Sequence, residues 1–355
     1  MSVLINPHRG VGLPDLWVGD PVMPSVDAGA VADLLSLCPV AKPTPLFEVP
    51  DLAESVGVAQ VWLKDERARM GLGSFKALGA AYVIARDAKE AGGDLATALT
   101  GRTYVAASAG NHGLSVAAGA RLFGARAVIV LAESVPESFA KRLRGKGVEG
   151  MRAGAVYEES MAAAMAAADA NGWQLLSDSS WPGYTERPRR VMEGYLQLAA
   201  EAVEQVPAAP THIFLQAGVG GMAAAVAAYA RQVWGEAPRI VVVEPEAAPC
   251  LMESLSAGRV LTVEGPVSDM GRLDCKEPSL IALAGLARDA DLFQTISEAR
   301  GWAAVETLAK HGIDTTPSGG AGVAAMLVQG ADLAALKLTG EARVLAVISE
   351  TGDAA

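Results

Sequence analysis

Residues 103–131 read TYVAASAGNHGLSVAAGARLFGARAVIVL and contain two apolar runs separated by a helical stretch. The runs at Thr103–Ala107 and at residues 127–131 are apolar at nearly every position, which is typical of parallel strands buried on both faces. Between them, residues 111–123 are rich in alanine and other helix formers. The segment is therefore predicted to form a strand, a helix and a second parallel strand, which is the repeating unit of α/β proteins.

The same alternation continues along the chain and predicts an α/β fold with parallel sheets. Further strands are predicted at residues 174–176, 212–215, 239–243 and 344–348, and a further helix at residues 137–144. The N-terminal third carries Pro43, Pro45 and Pro50, and we expect it to form an extended arm packed on the core.

The composition describes a globular protein. The chain has 355 residues, of which 51% are hydrophobic and 19% charged. This length suggests about two domains, and the apolar share excludes a disordered or fibrous protein. The apolar stretches are shorter than the roughly 20 residues that cross a bilayer, and residues 1–12 lack the apolar core of a secretory signal. We therefore expect a cytoplasmic enzyme with no membrane partner.

Charge and cysteine content do not favour a nucleic-acid-binding, disulfide-rich or metal-binding protein. The formal net charge is −11, from 29 Lys+Arg and 40 Asp+Glu, which does not favour a nucleic-acid partner. The three cysteines, Cys38, Cys250 and Cys275, are too few for a disulfide scaffold and lack metal-ligand spacing, so no metal site is predicted. Free thiols are expected for Cys250 and Cys275, because disulfides are rare in the cytosol.

A lysine motif, GLGSFK at residues 71–76, carries the first chemical signal. Lys76 lies in an apolar segment, where loss of water favours the neutral amine that Schiff-base chemistry requires. The alternative is a surface lysine at the start of a helix that Ser74 caps.

Two glycine-containing turns, each after a predicted strand, carry the second and third signals. In the turn at residues 107–113, Asn111 offers an amide to a ligand, although an ordinary helix-capping turn with His112 as a structural histidine is the alternative. The loop QAGVGG at residues 216–221 can form an anion nest for a phosphate at a helix N-terminus. It is not a dinucleotide fingerprint, because the required third glycine is replaced by Ala223.

In this order and spacing the three motifs resemble the fold-type II family of pyridoxal-phosphate enzymes, which includes the serine and threonine dehydratases, cysteine synthase and tryptophan synthase β. The resemblance extends from about residue 44 to residue 353. It is greatest to the diaminopropionate ammonia-lyase branch, on KDERARMGLGSFKALG at residues 64–79, DSSWPGY at residues 178–184, VEP at residues 243–245 and CKEP at residues 275–278.

The resemblance implies a role for each matching residue. Lys76 would hold pyridoxal 5′-phosphate as a Schiff base and later act as acid or base, Asn111 would bond the 3′ oxygen of the cofactor, and Ser349 would face its pyridine nitrogen. Ser318 is a second candidate for the nitrogen, although a helix cap explains it as well. The cofactor-binding set is Lys76, Phe75, Asn111, Gly218, Val219, Gly220, Gly221 and Ser349; the substrate-binding set is Ser108, Ala109, Gly110 and His112.

Two positions are expected to decide stereochemistry. The branch that this chain resembles has an acidic residue before Gly-Asn-His, and this chain has Ala109 there. Its second acidic residue is present as Asp178, so Asp178 or Lys76 is expected to remove the α-proton of an L-amino acid. A structural cap on the following turn is the alternative for Asp178. Arg272 is a candidate partner for a distal substrate carboxylate, or an exposed arginine.

The resemblance also implies the architecture and the reaction. We expect a tryptophan synthase β-like pair of α/β domains with the cofactor in the cleft: residues 1–86 and 188–355 as a large domain, and residues 87–187 as a small inserted domain. The expected reaction is α,β-elimination from L-2,3-diaminopropionate to pyruvate and ammonia, by a homodimer. A serine, threonine or 3-hydroxyaspartate dehydratase, a β-replacement synthase and a non-catalytic cofactor-binding homologue stay open as alternatives.

Overall fold

The computed structural model describes residues 2–352 except residues 18–19, 39, 109, 134, 136, 138–139, 142, 144–147 and 328–330. Two features of the sequence analysis are affected. Ala109 lies outside the described residues, and so does part of the helix predicted at residues 137–144.

Helices and strands alternate through most of the chain. The strands are β1 (Val3–Ile5), β2 (Leu46–Glu48), β3 (Gln60–Asp65), β4 (Thr103–Ala107), β5 (Arg126–Leu131), β6 (Glu149–Arg152), β7 (Gln174–Leu175), β8 (His212–Gln216), β9 (Arg239–Pro245), β10 (Leu292–Ile296) and β11 (Arg343–Ile348). The helices are α1 (Ala28–Leu35), α2 (Pro50–Val56), α3 (Lys76–Ala91), α4 (Asn111–Leu122), α5 (Tyr157–Asn171), α6 (Glu186–Gln205), α7 (Gly221–Trp234), α8 (Cys250–Ala257), α9 (Leu280–Asp289), α10 (Glu298–Lys310), α11 (Ala321–Met326) and α12 (Ala331–Leu336).

The described strands form two sheets. In the larger, the order is β1-β10-β9-β8-β11-β3-β2, and the inner strands are parallel while β1 and β2 pair antiparallel at the edges. In the smaller, the order is β6-β5-β4-β7 and every pairing is parallel. Parallel strands require helical crossovers, which explains the regular alternation. Among the described helices, none is long and apolar enough to span a membrane.

Helices α3 and α6 cross unusually closely beneath Lys76, and glycines permit this approach. A Cβ at Gly194 would lie 2.5 Å from the carbonyl oxygen of Leu78, and a Cβ at Gly79 would lie 2.7 Å from the ring of Tyr195. Real Cβ atoms do not approach other atoms so closely, so both positions need glycine. The crossing fixes the start of α3, where Lys76 lies.

A buried ionic cluster of Lys64, Glu66, Arg69 and Glu201 holds the segment that leads to Lys76. Glu201 Oε2 lies 2.7 Å from both Lys64 Nζ and Arg69 Nη2, and Arg69 Nε lies 2.7 Å from Glu66 Oε2. All four side chains are buried, and the two cations balance the two carboxylates. The cluster connects β3 and the turn before α3 to helix α6. Removal of one partner would leave an uncompensated buried charge, so the connection is costly to break.

The predicted α/β fold and its predicted strands are confirmed, with end points that differ by one or two residues. The expectation of an extended proline-rich arm is wrong for Pro50 but not for Pro43 and Pro45, which lie in a segment outside helices and strands whose Thr44 is buried against Glu201. Pro50 begins helix α2, because proline is tolerated in the first turn, where its missing N–H is not needed. Residues 46–48 form the edge strand β2, whose partner is β3.

Candidate active site

Lys76 and Asp178 form an ion pair at the start of helix α3. Lys76 Nζ donates a hydrogen bond to Asp178 Oδ2, and both side chains are mostly buried. Burial disfavours the charge on Lys76, but the carboxylate of Asp178 outweighs this effect and holds the pKa of Lys76 above its usual range. Burial likewise opposes the charge on Asp178, yet Lys76 and His112 hold the pKa of Asp178 below its usual range. At neutral pH the pair is therefore an ammonium in contact with a carboxylate.

Two aromatic rings enclose the amine of Lys76. Its Nζ atom lies 5.4 Å from the ring centroid of Phe75 and 6.0 Å from that of Tyr195, and the two rings meet edge to face at 4.9 Å. The Tyr195 hydroxyl is buried and has no hydrogen-bond partner among the described residues. Burial raises the pKa of Tyr195 to about 12, so the phenol keeps its proton and is available as a donor.

Ser74 does not cap helix α3, so that alternative from the sequence is wrong. The N-cap position is Phe75, and it makes no side-chain cap. The Ser74 hydroxyl is buried and, within the described part of the chain, lacks a hydrogen-bond partner. Such a group costs about 1–3 kcal/mol unless a ligand satisfies it.

The glycine loop between β8 and α7 packs closely against neighbouring segments and leads to a helix N-terminus. Gly220 has φ +96°, and a Cβ there would lie 3.0 Å from side-chain atoms of Leu251 and Ala282. A Cβ at Gly218 would lie 2.8 Å from Cys275 Sγ. The loop leads into Gly221, the first residue of α7, where exposed amides and the helix dipole favour an anion.

The turn after β4 presents Asn111 as the first residue of α4. Its amide Nδ2 donates to Glu350 Oε2 at 2.5 Å. The Ser108 hydroxyl accepts from the amides of Gly110 and Gly113 at 3.2 and 3.1 Å, so it caps this turn. Of the predicted substrate contacts, Ser108, Gly110 and His112 therefore lie together at the N-terminus of α4.

His112 is buried beside the ion pair. Its Nε2 lies 2.8 Å from the carbonyl oxygen of Leu176, whereas its Nδ1 has no partner among the residues described. Burial lowers the pKa of His112, so the ring is neutral near pH 7. The bond to Leu176 then requires the proton on Nε2 and leaves Nδ1 as an acceptor.

The segment after β7 brings Asp178 to Lys76. Its turn is stabilised by other groups: Ser177 Oγ accepts from Ser179 N at 3.2 Å, and the Tyr184 hydroxyl donates to Leu175 O at 2.9 Å. Trp181 stacks on Tyr184 with ring centroids 4.4 Å apart. The carboxylate of Asp178 is thus directed at Lys76, which does not favour the structural-cap alternative.

The C-terminal segment contributes Ser349 and Glu350. The backbone of Ser349 accepts from Phe75 N at 3.1 Å and donates to Gly319 O at 3.2 Å, which places it directly behind the lysine motif. Ser318 is not a helix cap, because Gly320 occupies that position before α11. Its hydroxyl instead accepts from Arg272 N at 3.2 Å.

The cysteines of this region are free thiols, as expected. Both contact the glycine loop: Cys250 Sγ donates to Gly218 O at 3.7 Å, and Cys275 Sγ packs against Gly218. Burial raises the pKa of Cys275 to about 12, so this thiol is protonated and unreactive at neutral pH.

Tyr195 and Glu350 also lie in this site, although no sequence motif predicted them. Tyr195 comes from the middle of α6, and only the tertiary structure brings it to Lys76. Glu350 lies beside Ser349, and a carboxylate directly after an apolar strand was a usable signal.

Comparison with known proteins agrees with this geometry. A model of the family "Pyridoxal-phosphate dependent enzyme" matches residues 37–350. The diaminopropionate ammonia-lyase of Escherichia coli (strain K12) is 35% identical over 253 residues, which are 67% of this chain and 64% of that protein. The serine dehydratase-like protein of Mus musculus is 30% identical over 273 residues, 77% of each chain. The match therefore spans less than two thirds of the length of the E. coli relative.

Solved structures match a larger share of this chain and of their own length. The E. coli diaminopropionate ammonia-lyase in complex with an aminoacrylate-PLP azomethine reaction intermediate has a TM-score of 0.87 and 28% identity, covering 99% of this chain and 93% of that chain. The same E. coli enzyme in complex with D-serine gives a TM-score of 0.86. Since the family model covers most of the sequence, this chain belongs to the pyridoxal-phosphate dependent enzymes, and its cofactor is pyridoxal 5′-phosphate.

Proposed function

We propose that this protein is an ammonia-lyase that converts L-2,3-diaminopropionate to pyruvate and ammonia. The observation that carries the proposal is the contact between Lys76 and Asp178, which joins the lysine motif to the DSSWPGY segment. Both segments resemble the diaminopropionate ammonia-lyase branch, and the E. coli relative carries that name.

The residues around Lys76 fit the cofactor. The buried hydroxyls of Ser74 and Tyr195 lack hydrogen-bond partners among the described residues, and the glycine loop leads into the N-terminus of α7, where backbone amides favour a phosphate. Pyridoxal phosphate, when bound, attaches the amino acid covalently and withdraws electrons from its Cα. The residues proposed to hold it are Lys76, Phe75, Asn111, Gly218, Val219, Gly220, Gly221 and Ser349.

Asp178 is proposed to be the proton acceptor for the α-proton. Its carboxylate is stabilised by the ammonium of Lys76, which keeps the pKa of Asp178 low. When Lys76 no longer carries that charge, burial is the larger influence and raises the pKa of Asp178. A carboxylate of this kind is a stronger base, and Lys76 can return a proton from the same contact.

The start of α4 is proposed to bind the α-carboxylate of the substrate. Ser108, Gly110 and His112 surround a helix N-terminus, where backbone amides and the dipole favour an anion. Ala109 completes this set in the sequence. Because alanine accepts no proton, we propose that D-isomers are poor substrates.

The alternatives differ in the leaving group and the fate of the product. A serine, threonine or 3-hydroxyaspartate dehydratase would release hydroxide from the same pocket, and the similarity to the mouse serine dehydratase-like protein supports this as the second candidate. A β-replacement synthase would instead incorporate an added thiol or indole. A non-catalytic homologue would bind the cofactor and turn over nothing.

One assay panel separates these functions. Purified, cofactor-loaded protein is given L- and D-2,3-diaminopropionate, L-serine, L-threonine or L-threo-3-hydroxyaspartate, and keto acid and ammonia are measured. Turnover of the L-diamine above the other substrates supports the proposal. Keto acid only from the hydroxy amino acids indicates a dehydratase. A loss of keto acid when thiol is added, with a new amino acid formed, indicates a synthase.

We also propose the division into residues 1–86 plus 188–355 and residues 87–187, a homodimeric state and a cytoplasmic location. All strands of the smaller sheet fall within residues 87–187, which supports that division. The homodimer rests on the family resemblance and is tested by the mass of the protein in solution. The cytoplasmic location rests on the composition and is tested by cell fractionation.

A further inference from the structure

Glu350 lies at the meeting point of three chain segments in the site. Its carboxylate accepts hydrogen bonds from Asn111 Nδ2 at 2.5 Å and from Thr316 Oγ1, and Arg272 Nε lies 3.3 Å from it. We propose that Glu350 positions Asn111 toward the cofactor and thereby controls both cofactor affinity and the ionisation of the cofactor. This inference rests on the cofactor contact proposed above for Asn111.

The backbone around Glu350 leaves its carboxylate little freedom. Its carbonyl accepts from Thr315 Oγ1 at 2.6 Å, and residues 74 and 350 form an antiparallel bridge next to the lysine motif. The residue is 3% exposed, and a Cβ at Gly319 would lie 3.0 Å from its Cγ. The carboxylate is therefore a fixed acceptor, which is what a positioning residue must be.

The chemistry of the two side chains explains the effect. An ionised carboxylate only accepts hydrogen bonds, whereas an asparagine amide presents a donor NH₂ at one end and an acceptor oxygen at the other. Glu350 therefore selects the orientation in which Nδ2 of Asn111 faces the carboxylate. The NH₂ group has two hydrogens, so one stays available to an acceptor in the site. In the opposite orientation, the amide oxygen would face the negatively charged carboxylate and lose this bond.

Arg272 and Thr316 hold the carboxylate of Glu350 in place. Arg272 belongs to the segment between α8 and α9, and Thr316 to the loop before α11. A buried carboxylate is stable when charged or polar donors compensate it. Arg272 is thus engaged by Glu350, which does not favour its sequence-based role as a partner for a distal substrate carboxylate.

The test measures cofactor binding and the cofactor spectrum, neither of which needs substrate. The variants are Glu350→Gln, Asn111→Ala and the double variant, with Glu193→Gln as the matched control. Glu193 is also a buried glutamate with arginine partners, but its partners are Arg86 and Arg189, which have no assigned role in the site. The dissociation constant is obtained by titrating apo-protein with pyridoxal phosphate, and absorbance is recorded against pH.

Glu350→Gln is expected to weaken cofactor binding about tenfold, the scale of one charge-assisted hydrogen bond, and to shift the pH midpoint of the absorbance change. A glutamine can turn either end of its amide to Asn111, so the selection of one orientation is lost. If Glu350 acts through Asn111, the double variant binds the cofactor no more weakly than Asn111→Ala alone. Glu193→Gln is expected to match the unmodified protein in both measurements.

The inference would be overturned if Glu350→Gln left the dissociation constant of the cofactor and its absorbance spectrum unchanged. It would also be overturned if the double variant weakened cofactor binding by the product of the two single effects. If Glu350→Gln fails to fold, Glu350→Asp replaces it. That variant keeps the charge for Arg272 but withdraws it from Asn111, and it must show the same loss. Absence of turnover in the unmodified protein, with the variants behaving as expected here, would count against the proposed reaction and not against this role.

Discussion

Lys76 Nζ donates a hydrogen bond to Asp178 Oδ2 although the two residues are 102 positions apart in the chain. One comes from the start of helix α3 and the other from the turn after β7 of the smaller sheet. The contact unites the group that would hold the cofactor with the group that would take the α-proton. Cofactor attachment at Lys76 and α-proton removal by Asp178 can be measured in separate experiments.

Asp178→Asn is expected to slow turnover of L-2,3-diaminopropionate by about a hundredfold or more, the scale of a lost general base. The change also removes the main charge that raises the pKa of Lys76, while burial still lowers it. Lys76 should therefore become neutral at a lower pH. Apo-protein carrying the change should capture the cofactor with a pH dependence shifted downward.

Stopped-flow absorbance across a pH series measures that capture, and Asp169→Asn, an exposed aspartate on α5, is the control. An unchanged turnover together with an unshifted pH dependence would show that the contact has no part in the chemistry.

Ala109→Asp is expected to raise kcat/KM for D-2,3-diaminopropionate by about tenfold or more, because it supplies a proton acceptor where alanine has none. Ala109→Asn is the control, since it has nearly the same shape without a basic carboxylate. Steady-state pyruvate release from each isomer gives the values. If the aspartate and asparagine variants handle the D-isomer alike, Ala109 does not determine stereochemistry.

Gly220→Ala is expected to weaken cofactor binding about tenfold or more, because the new Cβ meets Leu251 and Ala282 at 3.0 Å and displaces the loop. Positive φ alone costs a non-glycine residue about 1–2 kcal/mol. Gly172→Ala controls for this cost, since Gly172 has φ +67° with open space around it. The expected pattern is a stability loss in both variants, larger in Gly220→Ala because of its steric contacts, and a cofactor-binding defect only in Gly220→Ala. Normal cofactor affinity in Gly220→Ala would mean that the loop does not hold the phosphate.

The buried cluster around Glu201 should make the fold sensitive to acid. Burial alone would raise the pKa of Glu201, but Arg69 and Lys64 lower it to about 2. A carboxyl whose folded-state pKa is depressed stabilises the fold above its unfolded pKa of about 4.3. That stabilisation is lost as the pH falls from there towards 2.

Glu201→Gln should lower the free energy of unfolding by about 3–5 kcal/mol at pH 7, because it leaves Lys64 and Arg69 without their shared carboxylate. Urea unfolding at several pH values measures both effects, with exposed Glu204→Gln on the same helix as the control. The difference in free energy of unfolding between Glu201→Gln and Glu204→Gln should become smaller below about pH 4. A constant difference down to pH 2 would contradict the assigned role of the carboxylate.

The sequence predicted those strands whose residues are apolar throughout, such as β4 and β5, because burial on both faces leaves a local signal. It missed β3, whose Lys64 and Asp65 resemble surface residues until their partners are known. The carboxylate that pairs with Lys64 belongs to Glu201 in a distant segment, so no local pattern could reveal it, whereas Asp65 pairs with the nearby Arg67. The same limit applies to the two predicted caps: the residues Ser74 and Ser318 fit the cap pattern, but the helices begin later in the chain.

The site was predictable where a motif holds several groups on one turn. Lys76, Asn111 and the glycine loop are of this kind, and the structure places them around one region. Tyr195 was not predictable, because its ring comes within 6.0 Å of Lys76 Nζ only through the close crossing of α3 and α6. The hydrogen bond between Asn111 and Glu350 likewise joins opposite ends of the sequence.

The most direct test of the central claim is the ratio of ammonia to pyruvate released from L-2,3-diaminopropionate by cofactor-loaded protein. Loss of the β-amine followed by hydrolysis of the α-amine requires two ammonia for each pyruvate. We predict that ratio for the unmodified protein, and no release by Lys76→Ala, with exposed Lys89→Ala retaining activity. Protein that holds the cofactor on Lys76 but forms no pyruvate from the L-diamine, while it releases keto acid from L-serine or L-threonine, would contradict the account.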